Sequence, residues 1–234
     1  MPTLTGIVVP TSHEASGRRA FSDIIDELAR PVNAGDDTVR ALAADAFRAA
    51  VRTMNRKGSW PWEIQDSDIS ITANQARYTL ASGSQVKKPL AMHYLSASGG
   101  VRDQRLAYER YDLFVERRDQ NITGEASVYS IPNLFESGDV IFFPTPSGND
   151  NVRFTYYRVT PSPRLDTEPV EIPDFAIEVY MSYAWLEFVK RCPQAKTVLD
   201  LGAALENSRT AFREISSNIA SPGDRSRHAY SPGM

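Results

Sequence analysis

The sequence predicts an α+β fold: a helical bundle built from the N- and C-terminal helices, with an antiparallel β region inserted between them. Three observations predict it. Apolar residues recur with a helical period up to about residue 58 and again from about residue 172, but with a period of two in between. Residues 172–191 are apolar on almost every side, more apolar surface than a single copy is expected to hide, so a helix there needs cover on several faces, from this chain or from another copy of it. The changes of period fall at Trp60-Pro61-Trp62 and at a proline-rich stretch over 161–171.

Residues 1–18 are rich in Thr, Ser, Gly and Pro and read as a flexible leader. Phe21, Ile24, Ile25 and Leu28 then share one face of a short helix, broken by Pro31 and Gly35. Asp36-Asp37-Thr38 offers a cap for a longer helix over about 38–56. Its apolar stripe is Val39, Leu42, Ala43, Ala46, Phe47, Ala50, Val51 and Met54, and Lys57-Gly58 ends it.

In the β region, Ile69 and Ile71 alternate with polar residues, as do Tyr78 and Leu80, and Asn74-Gln75 between them reads as a hairpin turn. Further strands are expected at Lys88–Ser96, Arg105–Glu109, Ser127–Ile131 and Asp139–Phe143, with a short helix at Tyr111–Asp119. Val152–Val159 reads as the second arm of a hairpin with Asp139–Phe143, joined through 147–151.

Helical periodicity returns at Pro173-Asp174, a favourable first turn, and Lys190-Arg191 before Cys192-Pro193 suits a last one. A final helix carries Val198, Leu201, Leu205, Ser208, Phe212, Ile215 and Ile219 in a heptad seam. Residues 220–234 hold two Pro-Gly pairs with Arg225, Arg227 and His228, and read as a flexible tail. The organisation expected is a leader (1–18), a bundle (19–59 with 172–219), a β region (60–160), a linker (161–171) and a tail (220–234).

Composition narrows the function. At 41% hydrophobic and 24% charged residues the chain is ordinary for a globular protein, so wholesale disorder is excluded. A formal net charge of −3 with scattered signs argues against a dedicated nucleic-acid binder. The single Cys192 removes an internal disulfide and a multi-cysteine zinc cage. No apolar run spans a bilayer, and the opening residues lack a signal-peptide pattern, so synthesis in the cytoplasm is expected, without a membrane partner.

Chemistry-bearing motifs are sparse. His13, His93 and His228 make no metal-ligand spacing, and a glycine-rich phosphate loop is missing. Asp66-Ser67-Asp68 and Asn149-Asp150-Asn151 read as turn and loop-tip chemistry rather than cation sites. No catalytic residue, metal or cofactor is assigned, and an enzyme is not expected. Trp60 and Trp62 read as a wedge where bundle and β region meet, and one ring of Tyr156-Tyr157 is expected in the core with Tyr157 a candidate contact aromatic. The alternative reading makes Trp60, Trp62 and Tyr157 stacking platforms of a carbohydrate- or peptide-binding β module beside a helical oligomerisation bundle.

The layout resembles the head-to-tail adaptor (connector, tail tubular-like) proteins of tailed bacteriophages. The residues that carry the likeness are Trp60-Pro61-Trp62-Glu63, Ala76-Arg77-Tyr78-Thr79-Leu80, Phe142-Phe143-Pro144-Thr145-Pro146, Phe154-Thr155-Tyr156-Tyr157-Arg158 and Ile172-Pro173-Asp174-Phe175, within about 36–215. One departure is Ala81, where the pattern has proline. The resemblance implies a virion structural protein at the neck: a homo-oligomeric ring, usually of twelve copies, between portal protein and tail or nozzle protein. Genomic DNA would pass through its lumen without specific binding. Tyr180, Trp185, Phe188, Leu205, Phe212, Ile215, Arg225, Arg227 and Tyr230 are the candidate portal and subunit interface.

Overall fold

The computed structural model describes residues 19–80, 85–96, 99–118, 122–136, 138–198 and 201–224, so the expected leader and most of the expected tail lie outside the described residues. The fold is α+β, in two units: the chain before Ser59 with the chain from Thr160 on, and Ser59–Val159.

In the first unit, α1 (Phe21–Ala29) buries the four residues its period predicts. Helix α2 (Asp37–Lys57) starts where Asp36 accepts the N–H groups of Thr38 at 2.8 Å and Val39 at 3.3 Å. Half of its buried residues are alanine, which lets a neighbouring helix approach closely, while Leu42 of the predicted stripe stays half-buried.

Helix α4 (Asp174–Arg191) packs against α1, α2 and α6 (Leu201–Asp224), and the four-residue α5 (Ala195–Val198) lies in the connection. This corrects the expectation that α4 carries more apolar surface than one copy hides. Ala176, Tyr180, Ala184 and Phe188 are fully buried within the chain, and Ile177, Val179, Met181, Tyr183, Leu186 and Val189 nearly so. Among the described side chains of α4, Asp174, Glu178, Lys190 and Arg191 are exposed, with Ser182, Trp185 and Glu187 half-buried.

Between α2 and the stretch before α4, Asn55 makes a two-way clamp. Its Nδ2 donates to the Thr160 carbonyl at 2.9 Å and its Oδ1 accepts the Thr160 N–H at 3.0 Å, all of it buried. The amide side chain thus completes two backbone groups that lie outside any regular element.

The second unit opens with a 3-10 turn (Pro61–Glu63) and holds a seven-stranded sheet in the order β1-β9-β3-β4-β6-β7-β2. The strands are β1 (Ile64–Ile71), β2 (Arg77–Thr79), β3 (Val86–Leu95), β4 (Val101–Tyr108), β6 (Val128–Ser130), β7 (Asp139–Phe143) and β9 (Asp150–Arg158). The short β5 (Thr123–Gly124) and β8 (Thr145–Pro146) pair separately.

Three expectations are corrected here. β1 and β2 do not form a hairpin: β1 pairs with β9 and β2 with β7. β7 and β9 are not a hairpin either, since β9 lies between β1 and β3 while β7 lies between β6 and β2. The region is mixed rather than antiparallel, because α3 (Tyr111–Arg118) lies on the crossover that brings β6 alongside β4 in the same direction. The first hairpin fails at a corner. Tyr78 Oη accepts the Thr72 N–H at 2.7 Å and approaches the Thr72 and Gln75 carbonyls at 3.1 and 3.0 Å, while Asn74 takes φ 64°. The chain leaves β1, turns about this hydroxyl and joins the far end of the sheet.

The sheet curls, for Ile69 and Ile71 at one end share a single core cluster with Tyr78, Val140 and Phe142 at the other. Phe154 sits at its centre, stacked on Tyr156 at 4.7 Å and edge-on to Tyr129 at 5.6 Å.

Candidate assembly surfaces

Residues with the chemistry to meet another molecule lie on two helix faces and one sheet face. On α4 the exposed stripe is Asp174 and Glu178, followed by half-buried Ser182 and Trp185 at the same helical phase. The Trp185 ring meets Phe188 edge-on at 6.1 Å. Tyr180 and Phe188, candidates for the interface, are core residues of the subunit itself, each fully buried. Among the candidates on α4, Trp185 alone keeps surface.

On α6, Leu205 is 37% exposed, whereas Ser208 is buried and donates its hydroxyl to the Leu205 carbonyl at 2.8 Å. The polar interruption of the heptad is therefore buried and self-satisfied, while Leu205 keeps surface. Phe212 is half-buried, and the Lys57 ammonium stands 4.9 Å from its ring and 4.9 Å from that of Tyr183. The side chain of Ile215, and Arg225, Arg227 and Tyr230 entirely, lie outside the described residues.

In the β unit, Trp60 and Trp62 stack face to face at 5.3 Å with planes 3° apart. Trp60 is buried and Trp62 half-buried. Their turn is held by an ion pair that sequence reading missed. The Glu63 carboxylate accepts the Trp60 N–H at 3.0 Å and lies 2.8 Å from the Lys87 ammonium, both side chains nearly waterless. Burial lowers the Lys87 pKa, and Glu63 offsets part of that shift. A lysine at a strand entrance reads as solvent-facing, so no signal marked it; only the irregular register between Val86 and Lys88 turns it inward.

The outer face of β1, β9 and β3 carries charge. Tyr157 lies on it, half-buried, while Tyr156 points into the core. Asp68 and Arg153 form a two-pronged pair at 2.8 and 2.9 Å, and Thr155 donates to Asp66 at 2.6 Å. Asp66-Ser67-Asp68 is thus tied to the neighbouring strand, and the Arg153 guanidinium holds the Asp68 carboxyl below its ordinary range. At the other end of the sheet, Arg77 first and Thr79 second do the same for Asp139.

The Asn149 side chain accepts the Ala73 N–H at 2.9 Å, and Asp150 meets Arg102 at 3.1 and 3.4 Å. His93 stands between Arg105 and Arg153 in strand register. Among the described residues, no three His, Cys, Asp or Glu side chains converge to hold a metal ion, and no helix is long and apolar enough to cross a membrane.

No curated protein matches the sequence. The family described as SU10 adaptor protein matches it over residues 19–232, which takes in every described element of both units. The chain therefore belongs to the SU10 adaptor protein family and is a bacteriophage structural adaptor, a component of the virion.

Proposed function

We propose that the protein is its phage's head-to-tail adaptor: a ring, of twelve copies, seated at the virion neck between the portal protein and a tail or nozzle protein and continuing the DNA channel. The observation that carries this reading is the adaptor-family match across both units. The helices act as a bundle into which the β region is inserted, so that helical residues are available to grip the portal and β residues to meet neighbours or tail. With Tyr180 and Phe188 enclosed, the interface falls to Trp185, Leu205, Phe212, Ile215, Arg225, Arg227 and Tyr230. A ring contact joins two different patches of the same chain, so these residues need not meet their own copies. A net charge of −3 fits a lumen that lets DNA slide without gripping it.

Co-expression with the portal protein, followed by cryo-electron microscopy, tests this. A ring with the portal's symmetry, and density for the chain in the neck of purified particles, is the expected result. Particles whose neck lacks this chain would overturn the reading. The carbohydrate- or peptide-binding alternative has less support, since Trp60 is buried beneath Trp62 and offers no platform.

A further inference from the structure

Beside the first half of β4 the sheet has a gap, and we propose that an extended acidic segment of another polypeptide lies in it. Its backbone continues the β4 ladder at Arg105, and its carboxylate meets the Arg105 guanidinium. This inference concerns the β unit alone and does not rest on the ring.

β6 runs alongside β4 only from Ala107 onward. The Ala107 N–H donates to the Ser127 carbonyl at 2.9 Å and the Glu109 N–H to the Tyr129 carbonyl at 3.0 Å. Odd-numbered residues of β4 therefore turn their backbone groups to this side, and the next in the series is Arg105. In a continued parallel ladder the Arg105 carbonyl would accept the Ser127 N–H, but that group donates to the Phe143 carbonyl at 3.1 Å instead. The Arg105 N–H and C=O are thus left open on this side among the described residues. Side chains reach across the gap where a strand would lie, Gln104 to Glu125 and Tyr94 to the Ala126 carbonyl, each at 2.9 Å. An open backbone edge is a template for an added strand.

The side chains around the gap favour an acidic occupant. Arg105, Ala107, Tyr108 and Tyr129 line a cleft of about 370 Å³ there. Arg77, Arg102 and Arg153 each reach an aspartate on another strand. Arg105 stands opposite His93, donates to the Leu90 carbonyl at 3.0 Å, and meets no carboxylate among the described residues. Tyr129 is only 1% exposed, yet its hydroxyl has no hydrogen bond among the described residues, where a buried phenol normally finds a partner. The Arg105 charge is felt at that phenol, opposing the rise that burial gives it. A guanidinium and an unused hydroxyl at one cleft suit an occupant with a carboxylate. A phosphate backbone would answer the guanidinium but has no N–H for the Arg105 carbonyl, whereas a polypeptide supplies all three.

The test titrates the isotope-labelled full-length chain with a capped heptapeptide of threonines around one central glutamate, followed by amide and tyrosine-ring resonances. The Arg105 amide and the Tyr129 ring should shift saturably. Arg105→Gln should weaken the peptide at least fivefold, and glutamine in place of its glutamate should do the same. Tyr129→Phe should weaken it two- to threefold, and Arg153→Gln should leave it unchanged. A peptide N-methylated beside the glutamate keeps the charge but cannot extend the ladder, and should not bind. No saturable shift in a protein with a folded spectrum would overturn the proposal, as would an N-methylated peptide that binds as well as its parent. Saturable shifts at Arg105 with an oligothymidylate but none with the peptide would overturn it too, because the cleft would then take a phosphate.

Discussion

The Lys87 ammonium lies 2.8 Å from a Glu63 oxygen with the two side chains 4% and 0% exposed, and that oxygen also accepts the Trp60 N–H. Removing either partner takes the counter-charge from a buried ion, so Glu63→Ala and Lys87→Met should each cost about 3–5 kcal/mol in urea unfolding. The double variant Glu63→Gln with Lys87→Met should recover most of that loss. A Lys87→Met protein as stable as the parent would show that the pair does not hold the tryptophan turn.

Burial pushes the Tyr94 phenol up to about 12, and Tyr129 is raised by burial too. A folded value above the unfolded one means the neutral phenol is favoured by folding. That contribution is complete below the unfolded value of about 10 and is lost as pH rises through the folded one. Phenolate absorbance should therefore show a fraction of the tyrosines silent at pH 11, appearing together with loss of ellipticity. Replacement of Tyr94 by Phe should lessen the alkaline loss of stability.

The acid limb has the opposite sign. Arg153 and Arg77 depress Asp68 and Asp139, so these carboxylates stabilise the fold fully above their unfolded range and cease to as pH falls through their lowered folded values. Both pairs are open to solvent, which keeps each contribution small. Thermal unfolding of Asp68→Asn and Asp139→Asn should differ from the parent at pH 6 and converge with it near pH 2.

Asn55 satisfies both backbone groups of Thr160 from inside the helical unit. Asn55→Ala removes the amide partner of a buried N–H and of a buried carbonyl, at about 1–3 kcal/mol apiece. A melting temperature unchanged by Asn55→Ala would mean that water replaces the clamp.

Tyr78 should behave like Asn55, since its hydroxyl holds the corner after β1. The Tyr78→Phe variant keeps the ring against Phe142 and loses the hydrogen bonds, at about 1–3 kcal/mol in urea unfolding. Its secondary structure should be retained in the far ultraviolet.

Local chemistry made much of this fold legible. The Asp36 cap, the alanine-rich face of α2 and the Pro173 entry to α4 are written in neighbouring residues, and the helices form there. Strand positions were legible for the same reason, since inward residues such as Ile69, Ile71, Phe154 and Tyr156 alternate. Strand partners were not. Asn74-Gln75 looks like a hairpin turn, but Tyr78 captures the backbone on both sides of it, and the next strand pairs with one some sixty residues away. The cover of α4 was equally hidden, because the stripe of α2 that buries it lies more than a hundred residues earlier. Of the interface candidates, Trp185 and Leu205 kept surface while Tyr180 and Phe188 lost it, a distinction that residue type alone does not encode.

The placement of β9 between β1 and β3 dictates when this protein can mature on the ribosome. The last strand to be synthesised is a middle rung of the sheet, so every nascent intermediate before Asp150 carries two bare strand edges and a core without Phe154. The β unit must wait for residue 158 to emerge, and α2 waits longer still for α4. An adaptor chain built this way stays unfinished until translation is well advanced, and a product that stops before Asp150 lacks the strand that joins β1 to the rest of the sheet.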